Sequence, residues 1–310
     1  MNDTLVELQN VLVLRHTDPT GLFGLWGAKP VRALDGVSLT LRRGETLGIM
    51  GGAGGGKTTL AETVTMRRQP DRGRILFEGK DVTKAGGNDR KKLQRRLQMI
   101  RQDARESLEM DRTVRKQLEE RMREYGLPDA EGRMRRAITA VELPEEFLDR
   151  TPVEMSGGQQ QRVAIARALA LGPILVAADE PVSGVDPQLQ RDLLNMLDQV
   201  QKQQNLAYLL ISHERRTISR LAHRVAVLDR GHLYELSATE RVFSEAKHPY
   251  SRLFLGIERG ELPFEEDLTG RTFTGCPFAE HCPAATERCR AAKPALREVA
   301  EGHFVACHEV

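Results

Sequence analysis

The sequence predicts an α/β protein whose mostly parallel sheet is covered by helices, followed by a small cysteine-rich segment. Short apolar runs and helix-like segments alternate between residues 174 and 236, an order typical of parallel strands joined by crossover helices. A glycine-rich loop lies between an apolar run and a helix-like segment near residue 50. All four cysteines fall within the last 35 of the 310 residues, so we expect a distinct C-terminal extension.

Composition and charge narrow the class of protein. With 40% hydrophobic residues the chain can bury a sizeable core, and its length suggests about two domains. The 46 Lys and Arg residues nearly balance the 44 Asp and Glu residues, which gives no charge signature of a nucleic-acid binder. No signal peptide is evident, and the longest uncharged apolar run, Ala168 to Ala178, has 11 residues, fewer than the ~20 of a membrane helix. We therefore expect a soluble chain that would attach to a membrane only through partner chains.

Three segments can be separated along the chain. The first, up to about residue 83, is rich in short β-type runs, whereas from 87 to 151 charged residues dominate and apolar residues recur at helical spacing. Strands and helices then alternate to about residue 236, and a polar stretch precedes the cysteines. We predict a core of residues 1–94 and 152–256, a helical insertion at 95–151, and a linker with a C-terminal extension at 257–310.

The glycine-rich loop matches the phosphate-binding pattern G-x-x-x-x-G-K-S/T, and it lies between a strand-like run and a helix-like segment, as the pattern requires. Backbone N–H groups of such a loop surround a polyphosphate at a helix N-terminus, and side chains would obstruct that approach. A glycine-rich linker is the alternative, but it would not place Gly-Lys-Thr between a strand and a helix. The predicted nucleotide-binding residues are Gly51, Gly52, Ala53, Gly54, Gly55, Gly56, Lys57, Thr58 and Thr59.

A second apolar run ends in two carboxylates, Asp179 and Glu180. An acidic residue at the end of a buried strand can hold Mg²⁺ together with the hydroxyl of Thr58, while Lys57 would reach the β- and γ-phosphates. We expect Asp179 to serve the metal and Glu180 to orient the attacking water. A solvated acidic turn is the alternative for this pair taken alone.

Further motifs resemble those of the ATP-binding cassette (ABC) ATPases. Gln102 matches the Q-loop glutamine of that family, Asp186 ends a segment similar to its D-loop, and His213 matches its switch histidine. A lone Gln or His is most often structural, but here all the elements occur in the family's order. Met155 begins a segment similar to the L-S-G-G-Q signature, with Met in place of Leu, whose remaining residues are Ser156, Gly157, Gly158 and Gln159.

The resemblance implies an ABC-type nucleotide-binding domain, with a RecA-like mixed-sheet core, an antiparallel β part and a helical subdomain. It implies that ATP lies between two subunits, the signature of one facing the phosphate loop of the other. It further implies an active ATPase in which Lys57, Glu180 and His213 act on the transferred phosphoryl group and the water. The implied Mg²⁺ ligands are Thr58, Gln102 and Asp179.

Two departures from the family pattern concern the nucleotide site. Gly52, Ala53 and Gly55 stand where relatives often carry Glu or Ser, so the loop loses side-chain support, and Arg101 stands where an aromatic residue is usual. Neither departure removes a catalytic group. The family also stacks adenine on an aromatic residue upstream of the loop, for which Trp26 and Phe23 are the candidates, with packing under the sheet as the alternative.

The cysteine spacing leaves three interpretations open. Two disulfides are disfavoured because an ABC ATPase works in reducing cytosol. Zinc commonly uses pairs of cysteines two to four residues apart, which are absent here. Four thiolates at wider spacing suit an iron–sulfur cluster, although spacing alone does not decide. The residues are Cys276, Cys282, Cys289 and Cys307.

The segments around these cysteines, and His248-Pro-Tyr-Ser251 before them, resemble the C-terminal extension of oligopeptide and dipeptide importer ATPases. That resemblance implies a 4Fe–4S cluster on the four cysteines. It also implies a motor at the cytoplasmic face of the membrane that works with a second ATPase, two permeases and, indirectly, an extracytoplasmic binding protein. A Gly-Leu-Phe-Gly segment near residue 21 and the segment Val31-Arg-Ala-Leu-Asp-Gly-Val37 resemble the second of the two ATPases that these importers use, which implies a heterodimer of ATPases. A nickel or glutathione importer and a soluble, non-transport ABC protein are the alternatives.

Overall fold

The computed structural model describes residues 3–15, 30–103, 106–258 and 273–310. Within these residues the chain forms two β-sheets and the helices that cover them. The strands are β1 Thr4–Arg15, β2 Val31–Arg42, β3 Thr46–Met50, β4 Arg72–Phe77, β5 Lys80–Asp81, β6 Leu97–Ile100, β7 Leu175–Asp179, β8 Ala207–Ile211, β9 Arg224–Asp229, β10 His232–Ala238, β11 Arg297–Ala300 and β12 His303–Val305. The α-helices are α1 Lys57–Val64, α2 Gly87–Arg96, α3 Val114–Glu124, α4 Ala130–Ala140, α5 Gly157–Leu169, α6 Pro187–Gln204, α7 Arg215–Leu221, α8 Thr239–Glu245, α9 Pro249–Phe254 and α10 Glu287–Ala291.

The larger sheet has eight strands in the order β11-β12-β10-β9-β3-β8-β7-β6. Its centre is parallel: β3 pairs with β8 and β9, and β7 pairs with β8 and β6. The residues of β3, β7 and β8 are all buried, as expected for parallel strands covered on both faces. The carboxyl ends of β3, β6, β7 and β8 therefore meet at one edge of the sheet, where the predicted nucleotide residues lie.

The smaller sheet is antiparallel, with the order β2-β1-β4-β5. Its inner face packs with α1 and the larger sheet in one hydrophobic cluster. A second cluster joins the helical segment to the other face of the larger sheet. The predicted α/β fold with an antiparallel part is thus confirmed.

The segment predicted as a helical insertion contains α3 and α4, whose buried faces include Leu118, Met122, Met134 and Ile138. It also contains β6, which is the edge strand of the larger sheet. The strand and the two helices share one hydrophobic cluster with the signature helix α5, so the packing does not mark where the helical segment begins or ends. The boundaries at residues 95 and 151 therefore stay a prediction.

The cysteine-containing extension is joined to the core through the larger sheet. Strand β12 pairs with β10, and β11 pairs with β12. Next to this pairing, the fully buried carboxylate of Glu235 is hydrogen-bonded to Nε2 of His303 at 2.6 Å. It also accepts hydrogen bonds from the backbone N–H groups of Lys247 and His248, at 2.8 and 3.0 Å. No helix in the described part of the chain is long and apolar enough to cross a membrane.

Candidate nucleotide site

The phosphate loop connects β3 to α1 and is built on glycines that no other residue could replace without strain. Gly51 has a φ of 147°, and a Cβ atom there would lie 1.8 Å from the carbonyl oxygen of Leu228. Gly56 has a φ of 99°, and its Cβ atom would lie 2.2 Å from the carbonyl oxygen of Ala33. The loop therefore fits closely against β9 and β2, directly before the start of α1.

Lys57, the first residue of α1, folds back over the loop. Its Nζ atom lies 3.0 Å from the carbonyl oxygen of Gly51 and 2.6 Å from that of Gly52. These contacts hold the ammonium group at the mouth of the loop. A bound polyphosphate would give it stronger, charged acceptors in the same place.

Thr58 and Asp179 come together at the end of β7. The Thr58 hydroxyl donates a hydrogen bond of 2.6 Å to Oδ2 of Asp179. Burial raises the pKa of Asp179, and the Thr58 hydrogen bond opposes this effect. A hydroxyl and a carboxylate are hard oxygen ligands of the kind that Mg²⁺ binds, so these two side chains could hold the metal beside the loop.

Glu180 and His213 form a second pair at the same edge. His213 follows β8, and both its backbone N–H, at 2.9 Å, and its Nδ1 atom, at 2.7 Å, contact Oε1 of Glu180. The backbone of Glu180 has a φ of 48°, a conformation that costs energy for a residue with a Cβ atom and is common at functional sites. The arrangement could position a water molecule between a carboxylate and an imidazole.

The remaining predicted residues lie at two places. Gln102 is exposed two residues beyond β6, whose Ile100 pairs with Ala178 of β7, so it lies at the same sheet edge as Asp179. Asp186 caps the N-terminus of α6 by accepting from the N–H groups of Gln188 and Leu189.

The signature segment begins helix α5. Ser156 is the N-cap of this helix, and its hydrogen bonds with Gln159 form a capping box. Ser156 and Gly157 are exposed, whereas Gly158 is buried, and a Cβ atom there would lie 2.4 Å from the side chain of Leu189 of α6, which would have to move. An exposed, capped helix start is free to meet a ligand on another molecule. The candidates for adenine stacking, Trp26 and Phe23, lie outside the described residues.

Sequence reasoning missed two residues behind the loop. The N–H of Gly52 donates to the hydroxyl of Tyr250 at 3.1 Å, and the buried Asp229 carboxylate lies beside both. In the sequence Tyr250 is part of the His-Pro-Tyr-Ser segment that resembles the importer ATPases, and no spacing in the sequence indicates that α9 packs against the phosphate loop.

The four cysteines are gathered in the extension and line one small cavity, together with His248 and His308. Burial raises the pKa of the Cys276 thiol to about 11, with the nearby cysteines adding to the effect. In the part of the chain that is described, no group of three or more His, Cys, Asp or Glu side chains is placed to hold a metal ion. Four converging thiols are nevertheless the donor set that an iron–sulfur cluster uses.

A phosphate loop with a lysine, a hydroxyl beside a buried carboxylate, and a second acid at the same sheet edge define a nucleoside triphosphatase of the Walker type. Comparison with known proteins then gives the family. The protein-family model described as "ABC transporter" matches residues 34–183 of this chain.

Two curated relatives cover almost the whole chain. The chain is 35% identical to the oligopeptide transport ATP-binding protein AppF of Bacillus subtilis over 298 residues, 90% of this chain and 89% of that protein. It is also 35% identical to the probable peptide ABC transporter ATP-binding protein y4tS of Sinorhizobium fredii, over 99% of this chain and 90% of that protein. A solved structure of cbiO1 from Clostridium perfringens, part of the ABC transporter complex cbiONQ, matches with a TM-score of 0.68 and 25% identity, over 79% of this chain and 92% of that one. The chain belongs to the ABC transporter family of ATP-binding proteins, and it is an ATPase.

Proposed function

We propose that this chain is the ATP-hydrolysing subunit of a membrane importer for peptides. The observation that carries the proposal is the extent of the similarity to the oligopeptide transport protein of Bacillus subtilis. It covers 90% of the chain, whereas the general ABC transporter pattern covers only residues 34–183. Similarity restricted to residues 34–183 would be compatible with a transporter of any solute.

In this proposal the residues at the sheet edge act by position and charge. Lys57 and the loop N–H groups bind the β- and γ-phosphates of ATP, and Thr58, Gln102 and Asp179 hold Mg²⁺. Glu180 polarises the attacking water, and His213 contacts the γ-phosphate and orients Glu180. The exposed signature segment, Ser156 to Gln159, completes the site of a second ATPase subunit, as Asp186 does at the same interface.

The partners follow from the same proposal. A second, different ATPase would face this chain, two permeases would anchor the pair at the cytoplasmic face of the membrane, and an extracytoplasmic binding protein would deliver the peptide. The exposed Gln102 and Arg101 lie at the junction of β6 with the helical segment, where contact with a permease could reach the Mg²⁺ site.

We also propose that Cys276, Cys282, Cys289 and Cys307 hold a 4Fe–4S cluster. The convergence of all four cysteines on one cavity supports it. Such a cluster would cross-link an extension that has little apolar area of its own. Iron and sulfide analysis of anaerobically purified protein, with Cys289→Ser for comparison, tests this part separately.

The experiment that tests the function measures ATP hydrolysis by the chain reconstituted in lipid vesicles with its partner ATPase and permeases. Binding protein loaded with peptides of graded length should stimulate hydrolysis and drive peptide uptake, and the Glu180→Gln variant should abolish both. Stimulation by nickel- or glutathione-loaded binding protein, but not by peptide, would overturn the peptide assignment. Full activity of the chain alone, indifferent to permeases, would indicate a soluble ABC enzyme.

A further inference from the structure

The phosphate loop is held from behind by two elements that lie outside the catalytic edge. From the start of α9, Tyr250 accepts the Gly52 N–H at 3.1 Å. From the turn between β9 and β10, the N–H of Gly231 donates to the carbonyl oxygen of Gly55 at 3.0 Å. Residues 52 and 55 are glycines and have no side chain that could hold the loop backbone in place. The contacts from Tyr250 and Gly231 restrain that backbone instead.

Asp229 lies next to both supports: it is the last residue of β9, directly before the turn that contains Gly231. Burial raises the pKa of its carboxyl, and the neighbouring Tyr250 hydroxyl opposes that rise. A Cβ atom at Gly52 would lie 2.9 Å from Oδ1 of Asp229, and one at Gly55 would lie 3.1 Å from the same atom. The glycine side of the loop thus packs directly on Asp229, which is 8% exposed.

The cysteine-containing extension contacts both supports. The ring of Phe278 meets that of Tyr250 edge to face, with centroids 5.5 Å apart and an interplanar angle of 79°. Nη1 of Arg230, in the β9–β10 turn, donates to the carbonyl oxygen of Pro277 at 2.9 Å. Phe278 is 1% exposed and Tyr250 is 4% exposed, so these are packed contacts between the extension and the core.

We propose that Tyr250 and Asp229 are positioning residues for the phosphate loop, and that the extension fixes them through Phe278 and Pro277, so that it sets the affinity for MgATP. A glycine-rich loop has more backbone freedom to lose when it closes on phosphate. A hydrogen bond to Gly52 removes part of that freedom before ATP binds, and pre-organisation of this kind appears as tighter binding. The inference rests on nucleotide binding by the loop and not on the identity of the cargo.

The test compares two Tyr→Phe variants of the full-length chain. Tyr250→Phe removes the hydroxyl that accepts from Gly52 but keeps the ring against Phe278. Tyr234→Phe is the matched control: its ring is 4.9 Å from that of Tyr250 in the same buried group, and within the described residues its hydroxyl has no hydrogen-bond partner. The Kd for MgATP is measured by calorimetry, and amide hydrogen exchange is followed in residues 49–58.

We expect Tyr250→Phe to weaken MgATP binding about 5- to 10-fold, the value of one lost hydrogen bond, and to speed exchange in the loop. Tyr234→Phe should leave both unchanged. In an assembled transporter the loss should appear in KM for ATP, with kcat within about twofold, because Tyr250 touches no reacting atom. A Kd for Tyr250→Phe within twofold of that for Tyr234→Phe would contradict the role of Tyr250.

Phe278→Leu tests the proposed role of the extension in MgATP binding. It also tests the proposal if Tyr250→Phe fails to fold. It should weaken MgATP binding in the same direction, and by much less in the Tyr250→Phe background, because the two residues act on one contact. If Phe278→Leu weakened MgATP binding equally in the unaltered protein and in Tyr250→Phe, the extension would not act through Tyr250, and that part of the proposal would be overturned. Failure of the unaltered chain to bind MgATP would instead overturn the nucleotide site itself, whereas a failure of peptide transport alone would leave the inference intact.

Discussion

Glu180 is held in a left-handed backbone conformation, and its carboxylate is fixed by two contacts from His213. Replacing it with glutamine keeps its size and removes the base. We expect Glu180→Gln to lower ATP hydrolysis at least ~100-fold, a loss typical of general base removal, while MgATP binding is retained. Phosphate release and nucleotide binding on the same preparation measure the two effects.

Glu214→Gln is the control for that variant. Glu214 is the neighbour of His213, but its carboxylate contacts Gln190 and Thr217. Its replacement should leave kcat within about twofold of the unaltered protein. Hydrolysis by Glu180→Gln equal to that of Glu214→Gln would show that Glu180 is not the base.

Thr58 is the residue whose hydroxyl joins the loop to Asp179. Thr58→Val is nearly isosteric and removes this oxygen, so we expect the Mg²⁺ concentration for half-maximal hydrolysis to rise about 10-fold, the value of one lost polar contact to an ion. A Mg²⁺ titration of ATPase activity measures the change. Thr58→Ser should restore most of the affinity, and Thr63→Val, in the same helix but bonded to the carbonyl oxygen of Thr59, should not alter it.

At the scale of elements, the loop and the strand-end acids could be predicted because each depends on local sequence. Gly51 to Thr58 needs only a strand before it and a helix after it, and both are found as β3 and α1. Asp179 could be placed beside Thr58 because parallel strands bring their carboxyl ends to one edge. The support from Tyr250 could not be predicted, since it depends on how α9 packs 198 residues further along the chain.

The turn between β4 and β5 carries an ionic contact that joins the antiparallel sheet to α2. Glu78 makes a two-point contact with Arg96 at the end of α2, with N···O distances of 2.8 and 2.9 Å, and a further one with Arg43. The Arg96 hydrogen bonds lower the pKa of Glu78 from 4.5 to about 2. Because the native state favours the ionised form, this stabilisation is complete above about pH 4.5 and is lost as the pH falls towards 2.

We therefore expect Glu78→Gln to lower the free energy of unfolding at pH 7 by about 1 kcal/mol, a value discounted for the partial exposure of the contact. The difference between the variant and the unaltered protein should shrink as the pH falls below 4.5. Urea unfolding at several pH values measures it. Glu245→Gln, an exposed position at the end of α8, is the control. A difference that stays constant with pH would show that the ionised carboxylate is not its source.

At the scale of the whole molecule, the extension is continuous with the ATPase core. The sequence predicted a linker and a terminal segment, and the segment's role in the sheet was not foreseen because β11 and β12 are only four and three residues long. Pairing of β12 with β10 places the cysteines next to His248 and Phe278, and so next to the elements under the phosphate loop. Changes in the extension can therefore reach the nucleotide site through packed residues.

The contact between His303 and Glu235 can be used to test how much the attachment of the extension to the core contributes to the free energy of unfolding. His303→Ala removes the 2.6 Å hydrogen bond to a carboxylate that has no exposure to solvent, and it leaves a small cavity. Loss of one partner from a buried polar contact typically costs about 2–4 kcal/mol, so we expect a clearly lower free energy of unfolding. We also expect faster amide exchange in β12, while the exchange of β7 and β8 stays slow, because β10, β9 and β3 lie between those strands and β12 in the sheet. His281→Ala, an exposed histidine of the same extension, is the control and should change neither quantity. Equal stability of the two variants would mean that the extension is held by its other contacts, and that the contact between His303 and Glu235 adds little to the fold.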